Sequence, residues 1–177
     1  MILDGDMSIT QNLWNTILIC FPSDRFPRVL EIGSGKGTAN WVEAGYTVDT
    51  VEHDKKWVNS VEGATYFHSE LIDGYYDRDM MKTLLEKGHD IWLLDGPPGM
   101  LGGVKGDRTA IKELLHQGFS FPKVIIVDDT QREDGLDVCH HLMAVLPQHA
   151  AFRVERYEPG KDPHHATIFL MVSKKEK

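Results

Sequence analysis

The sequence predicts an α/β protein built on a doubly wound, mostly parallel seven-stranded sheet that ends in an antiparallel hairpin. Short runs rich in Val, Ile, Leu and aromatic residues alternate with longer segments of helical period. Strands that alternate with helices form parallel sheets covered on both faces. The last two apolar runs instead flank PGKDPHH, which is typical of a hairpin with a loose turn.

Five apolar runs predict the parallel strands: RVLEI (28–32), YTVDTVE (46–52), ATYFH (64–68), DIWLLD (90–95) and KVIIVDD (123–129). The runs AFRVERYE and ATIFLMVS predict the hairpin. Helices are expected between the strands, and several of these segments end on a glycine that suits a helix C-cap. They are TANWVEAG, KKWVNSV, YYDRDMMKTLLEKG, DRTAIKELLHQG and GLDVCHHLMAVL.

Residues 8–21 predict an opening amphipathic helix, because Ile9, Leu13 and Ile17 recur at steps of four residues. We expect one domain over residues 1–177, in which 1–27 form the N-terminal helix and connector and 28–177 the core. The helix could pack on its own sheet or on a partner, so both a monomer and a homodimer stay open.

Composition disfavours several kinds of partner. With 19 Lys+Arg and 27 Asp+Glu the net charge is 19 − 27 = −8, which makes nucleic acid an unfavourable partner. No apolar run approaches the roughly 20 residues that cross a bilayer, and the N-terminus lacks the basic region of a secretion signal. The two cysteines, Cys20 and Cys139, can form at most one bridge. A reduced cytoplasmic protein is expected.

The run VLEIGSGKGT places a glycine-rich turn after the first predicted strand. It lacks the first glycine of a P-loop, and Thr38 stands where a dinucleotide-binding turn needs its third glycine. What remains is a carboxylate, Glu31, followed by glycines at alternate positions: Gly33, Gly35 and Gly37. A carboxylate at this strand end disfavours pyrophosphate and suits a cationic or zwitterionic ligand.

A second carboxylate, Glu52, closes the next predicted strand, 19 positions after Gly33. In doubly wound sheets an acidic residue about 20 positions on hydrogen-bonds the ribose of a bound nucleoside. A nucleoside whose other end carries amine and sulfonium charges satisfies both features. S-adenosylmethionine is such a molecule.

On these residues the chain resembles the class I S-adenosylmethionine-dependent methyltransferases, which have a Rossmann-like fold. VLEIGSGKGT is similar to their first motif, VEHD to their second, and the terminal hairpin to their sixth and seventh strands. The resemblance implies that the turn approaches the methionine moiety, that Glu31 orients its amine and that Glu52 holds the ribose diol. The other implied cofactor residues are Ser34, Gly35, Gly37, Thr38, His53, Ser69, Glu70 and Asp95.

Three further acids end the fourth and fifth predicted strands: Asp95, Asp128 and Asp129. These ends lie side by side in a doubly wound sheet, where three unpaired carboxylates would repel one another. A divalent cation such as Mg²⁺ would relieve the repulsion, in an arrangement similar to that of metal-dependent O-methyltransferases, although Asp129 replaces their amide. The alternative is that Asp95 contacts the cofactor or caps a turn, and that Asp128 or Asp129 caps a helix or pairs with Arg132.

Several other side chains allow two interpretations each, one functional and one structural. Asp95 and His68 are the candidate catalytic residues, with a packing role as the favoured alternative for His68. Arg108 could clamp an acidic substrate or begin a helix, and Tyr75 and Tyr76 could line a substrate mouth or the core. The glycine-rich MLGGVKGDR after DGPPG could serve as a lid. Neither His140–His141 nor His164–His165, which we expect in the hairpin turn, has the spacing of a zinc site.

These observations favour methyl transfer to a small molecule, with oxygen preferred over nitrogen. Two alternatives stay open. One is a protein that binds S-adenosylmethionine without transferring its methyl group, as a sensor or a subunit. The other is a Rossmann enzyme that uses NAD or a nucleotide sugar.

Overall fold

The computed structural model describes residues 10–99, 105–115, 120–156 and 164–172. Within them, seven strands form one sheet: β1 (Arg28–Ile32), β2 (Thr47–Glu52), β3 (Ala64–His68), β4 (Ile91–Leu94), β5 (Val124–Val127), β6 (His149–Arg156) and β7 (His164–Met171). The helices of the same residues are α1 (Gln11–Cys20), α2 (Thr38–Glu43), α3 (Arg78–Leu85), α4 (Ile111–Leu115) and α5 (Glu133–Val145), and a 3₁₀ turn (Arg108–Ala110) precedes α4.

The strand order is β3-β2-β1-β4-β5-β7-β6. Strands β1 to β5 are parallel, whereas β7 runs antiparallel to β5 and β6 antiparallel to β7. The order reverses at β1, so the carboxyl ends of β1 and β4 lie beside the switch point at which doubly wound sheets bind ligands. The predicted fold class is confirmed.

Two local predictions are wrong. The segment KKWVNSV forms turns, because Trp57 and Ser60 donate to the carbonyls three residues before them and Asn59 has a φ of 60°. His164 and His165 belong to strand β7 and not to the hairpin turn. The remainder of that turn, and residues 100–104 of the predicted lid, lie outside the described residues.

The two faces of the sheet carry separate cores, because alternate strand residues point to opposite faces. In β4, Ile91 and Leu93 pack with α1 and α2, whereas Trp92 and Leu94 pack with α3, α4 and α5. The strands β1, β4 and β5 are almost wholly buried, as expected for parallel strands covered on both faces.

Helix α1 packs on the chain's own sheet. Thr10 caps its first turn by accepting a hydrogen bond from the Leu13 amide (3.3 Å). Leu13, Trp14 and Ile17 are buried, and the Trp14 ring meets that of Trp41 edge to face at 5.1 Å between centroids. The orientation of α1 is therefore fixed by this core.

Both cysteines are free: Cys20 is exposed at the end of α1 and Cys139 is buried in α5. They are thus not bridged to one another. In the described part of the chain, no helix has the length and apolar character needed to cross a membrane.

We expect Ile17→Ala to lower the free energy of unfolding by roughly 2–5 kcal/mol, because it removes a side chain that is 0% exposed. Ile19→Ala is the matched control on the same helix, since Ile19 is 80% exposed and should change stability by less than about 0.5 kcal/mol. Urea denaturation of both variants measures the difference. Equal losses would mean that α1 does not pack on the sheet in this way.

Candidate functional site

The glycine-rich turn between β1 and α2 uses its amides inside the protein. Gly33 donates to the Val51 carbonyl (3.0 Å), Ser34 to the Glu52 carboxylate (2.9 Å) and Gly35 to the Thr38 hydroxyl (3.2 Å). A phosphate-binding loop presents such amides to its anion. These three amides are occupied, so the turn lacks that character.

Gly33 is required by its conformation and by its neighbour. Its φ is +95°, and a Cβ there would lie 2.7 Å from the amide nitrogen of Gly96, which follows β4. The turns after β1 and β4 therefore touch through their backbones. Gly37 is the N-cap of α2, and Thr38 is its first residue.

The Glu52 carboxylate joins the ends of two neighbouring strands. One oxygen accepts hydrogen bonds from the amide and the hydroxyl of Ser34 (2.9 and 2.8 Å). The other accepts from the amides of His53 (2.8 Å) and Asp54 (2.7 Å), and the His53 Nδ1 atom lies 2.8 Å from it. The side chain of Glu52 is 2% exposed, so the carboxylate predicted to meet a ribose already orders the turns around it.

Glu31 is buried at the end of β1 and accepts a hydrogen bond from the Thr38 hydroxyl (2.7 Å). Burial raises the pKa of its carboxyl from 4.5 to about 8, despite the opposing effect of that hydrogen bond. At neutral pH this group is therefore mainly protonated, and a cation placed beside it would favour its ionised form.

The predicted adenine-side residues are divided by the structure. Ser69 is buried, and its hydroxyl accepts from the amide of Asp77 (2.8 Å), which orders the segment between β3 and α3. Glu70 faces solvent and pairs with Lys55 (3.2 Å), where both side chains are about three-quarters exposed. Ser69 therefore lies beside Glu52, to whose carbonyl its amide donates (2.9 Å), whereas the Glu70 side chain is in solvent.

Asp95, Asp128 and Asp129 do come together at the ends of β4 and β5, as predicted, around the buried Arg108. The Arg108 guanidinium lies 3.5 Å from an Asp95 carboxylate oxygen and 3.2 Å from one of Asp129, and it donates to the carbonyls of Asp95, Pro97 (3.1 Å) and Asp128 (3.0 Å). Arg108 thus ties the two strand ends together, which leaves little of it free to clamp a substrate.

His164 is a second basic group at this cluster. Its Nε2 atom lies 3.0 Å from an Asp129 oxygen and 3.4 Å from an Asp128 oxygen. Burial opposes protonation of His164, but its hydrogen bond to Asp129 and the nearby acids outweigh that and raise its pKa. Burial and the charge of Asp95 raise the pKa of Asp128 to about 8, whereas His164 and Arg108 overcome burial and lower that of Asp129.

The surroundings of Asp95, Asp128 and Asp129 differ from those that the metal prediction assumed. That prediction required three unpaired carboxylates, but Arg108 lies beside Asp95 and Asp129, and His164 lies beside Asp128 and Asp129. Arg132 also lies 3.4 Å from Asp129. Throughout residues 10–99, 105–115, 120–156 and 164–172, no three acidic, His or Cys side chains are grouped so that they could hold a metal ion. The residues present do not fit a divalent cation.

His68 and Asp95, the two candidate catalytic residues, are far apart. His68 ends β3, where its Nε2 atom lies 3.2 Å from the His53 carbonyl oxygen, whereas Asp95 follows β4. Three strand spacings separate β3 from β4, which is about 14 Å. The structure therefore does not bring these two side chains to one reacting centre.

Tyr75 and Tyr76 are both buried, in agreement with the core reading. Tyr76 nevertheless reaches the site, because a Cβ on Gly96 would collide with its hydroxyl oxygen. The sequence did not single out His164 as a site group, and it indicated Tyr76 only as a residue of the substrate mouth or of the core. Strand β7 lies beside β5, and at its first residue the His164 Nε2 atom is 3.0 Å from an Asp129 oxygen.

The sheet order, the terminal hairpin and the turn after β1 define the class I methyltransferase fold. No family model and no curated protein matches the sequence. Among solved structures, the chain is similar to the O-methyltransferase TomG from Streptomyces achromogenes in complex with SAM, with a TM-score of 0.64 and 14% identity over 96% of this chain and 83% of that one.

Two further structures have the same likeness. A putative O-methyltransferase from Klebsiella pneumoniae has a TM-score of 0.63 and 15% identity over 96% of this chain and 84% of that one. An O-methyltransferase from Bacillus cereus in complex with SAH has a TM-score of 0.63 and 14% identity over 95% of this chain and 84% of that one. At these identities the comparisons establish the fold, and the resemblance predicted from the sequence is confirmed at that level.

We expect Glu31→Gln to gain stability relative to the wild type as the pH rises. Folding raises the pKa of Glu31 from 4.5 to about 8. The stabilisation that the protonated carboxyl provides is therefore fully present below pH 4.5 and is lost as the pH rises through about 8. The difference should reach a few kcal/mol in denaturation curves between about pH 5 and pH 9. Glu43→Gln, at an exposed residue, is the control, and a pH-independent difference for Glu31→Gln would contradict the assignment.

We expect Arg108→Lys to lower the free energy of unfolding by about 2–4 kcal/mol. A lysine keeps the charge but cannot reach the carbonyls of β4 and β5 in the forked geometry of a guanidinium. Thermal or urea denaturation measures the loss, with Arg25→Lys on the exposed connector as the control. Wild-type stability in the variant would mean that Arg108 does not tie the strand ends together.

Proposed function

We propose that this protein transfers the methyl group of S-adenosylmethionine to a small-molecule acceptor, with oxygen favoured over nitrogen. One observation carries the proposal: the buried Glu31 carboxyl, whose pKa is raised to about 8, lies at the end of β1 beside the Gly33 turn. A cationic ligand is the kind that such a carboxyl would bind. The likeness to O-methyltransferases, one in complex with SAM and one with SAH, agrees with this assignment.

The cofactor would supply a methyl group activated by its positively charged sulfur. On the protein side, Glu31 and Thr38 would hold the amine, and the Gly33 turn would lie against the methionine moiety. The ribose would approach Glu52, where the Ser34 hydroxyl can rotate away and release a carboxylate lone pair. His53 would flank the base.

The occupied amides of the turn disfavour the NAD and nucleotide-sugar alternative. A pyrophosphate needs free amides and would lie close to the Glu52 carboxylate, whose negative charge would repel it. A sensor or subunit would bind the same cofactor as a methyltransferase but would not transfer its methyl group. An assay of methyl transfer therefore distinguishes the two.

The methyl acceptor would bind beside Asp95. Its side chain is 32% exposed, although Arg108 lies 3.5 Å from one of its oxygens, so it can still meet a substrate hydroxyl. Neither a divalent cation nor His68 takes part in the proposed reaction. The homodimer and the cytoplasmic location stay predictions.

The proposal is tested by calorimetric titration with S-adenosylhomocysteine, which keeps the ammonium and carboxylate groups of the cofactor. We expect micromolar binding that releases up to about one proton near neutral pH, because the ligand's ammonium group ionises Glu31. The heat should therefore differ between phosphate and Tris buffers. Glu31→Gln should lose this difference and bind roughly tenfold more weakly.

Glu43→Gln serves as the control and should bind like the wild type. Absence of binding by the wild type would overturn the proposal, and buffer-independent heat would remove Glu31 from the site. Binding without methyl transfer to any hydroxyl or amine acceptor would favour the sensor or subunit alternative. Stabilisation by millimolar Mg²⁺ would restore the metal prediction.

A further inference from the structure

Tyr76 is a fully buried tyrosine whose hydroxyl has no hydrogen-bond partner among the described residues. A buried hydroxyl without a partner costs on the order of 1–3 kcal/mol. A ligand atom that accepted a hydrogen bond from it would remove this cost. The hydroxyl therefore marks a place where binding of a polar ligand is favoured.

The backbone on either side of Tyr76 is held in place before any ligand binds. The Asp77 amide donates to the Ser69 hydroxyl (2.8 Å), and Ile72 and Tyr75 exchange two backbone hydrogen bonds (2.7 and 3.1 Å). The ring itself contacts that of Tyr75 edge to face, with centroids 5.3 Å apart. The orientation of the hydroxyl is thus fixed by the protein, which lowers the entropic cost of using it.

The hydroxyl lies where the turns after β1 and β4 meet. A Cβ on Gly96 would collide with the Tyr76 oxygen and would lie 2.8 Å from the Gly33 Cα atom. A glycine at position 96 therefore leaves room for the hydroxyl beside the Gly33 turn. Both turns follow strands that flank the switch point of the sheet, where doubly wound proteins bind their ligands.

The hydroxyl acts as a donor at neutral pH. Burial raises the pKa of Tyr76 well above its ordinary value, and the negative charges of Glu52 and Asp95 raise it further. The group therefore keeps its proton. A neutral donor beside two acids suits an uncharged oxygen acceptor, such as a ribose hydroxyl or ring oxygen.

We propose that Tyr76 is a binding residue of the adenosyl ligand and donates a hydrogen bond from its hydroxyl to the nucleoside part of that ligand. This inference rests on the proposed function. It adds a contact from the segment between β3 and α3 to a site otherwise formed by the turns after β1 and β2. The chain would thereby close over the nucleoside from a third side.

The test compares Tyr76→Phe with the wild type in two measurements. In calorimetric titration, S-adenosylhomocysteine should bind the variant about fivefold to tenfold more weakly, the value of one neutral hydrogen bond. In thermal unfolding without ligand, the variant should be as stable as the wild type or more stable, because an unpaired buried hydroxyl has been removed. If the hydroxyl served stability alone, its removal would lower the unfolding temperature and leave the affinity unchanged.

Tyr46→Phe is the matched control. Its hydroxyl is also buried but donates to the Phe21 carbonyl (2.6 Å) on the other face of the sheet. This variant should lose stability and keep its affinity. If the wild type binds and Tyr76→Phe binds equally well or unfolds at a lower temperature, the inference is overturned while the proposed function stands. If the wild type does not bind, both fail.

Discussion

The Glu52 carboxylate is the constraint on which the site depends. Its four hydrogen bonds to Ser34, His53 and Asp54 set the turns after β1 and β2 in one geometry. Charged hydrogen bonds to backbone amides are strong, and here they are shielded from water. The Gly33 turn, held in this way, is what can pack closely against Gly96. The floor of the site is therefore formed before any ligand arrives.

Charge balance distinguishes the two halves of this sheet edge. At β1 and β2, Glu52 is held by hydrogen-bond donors, and burial keeps the proton on Glu31. At β4 and β5 the acids are matched by Arg108 and His164. A buried carboxylate is stable only when it is paired, hydrogen-bonded or protonated. The uncompensated half is the one suited to a cation.

Much of the fold followed from local pattern, because buried parallel strands are short apolar runs and the carboxyl ends of such strands must meet. Glu31, Glu52 and the acids after β4 and β5 were found for this reason. Arg108, His164 and Tyr76 could not be placed in the same way. Their roles depend on packing and strand register, which join residues distant in sequence.

The short connection between Gly99 and Lys105 joins two well-anchored ends. On one side Arg108 donates to the Pro97 carbonyl, and on the other the Asp107 amide donates to the Gly74 carbonyl (2.8 Å). Both anchors are formed by residues outside 100–104, so we expect changes of length or sequence in that stretch to leave the strand ends in place. Sequence divergence among proteins with this scaffold should therefore be concentrated there.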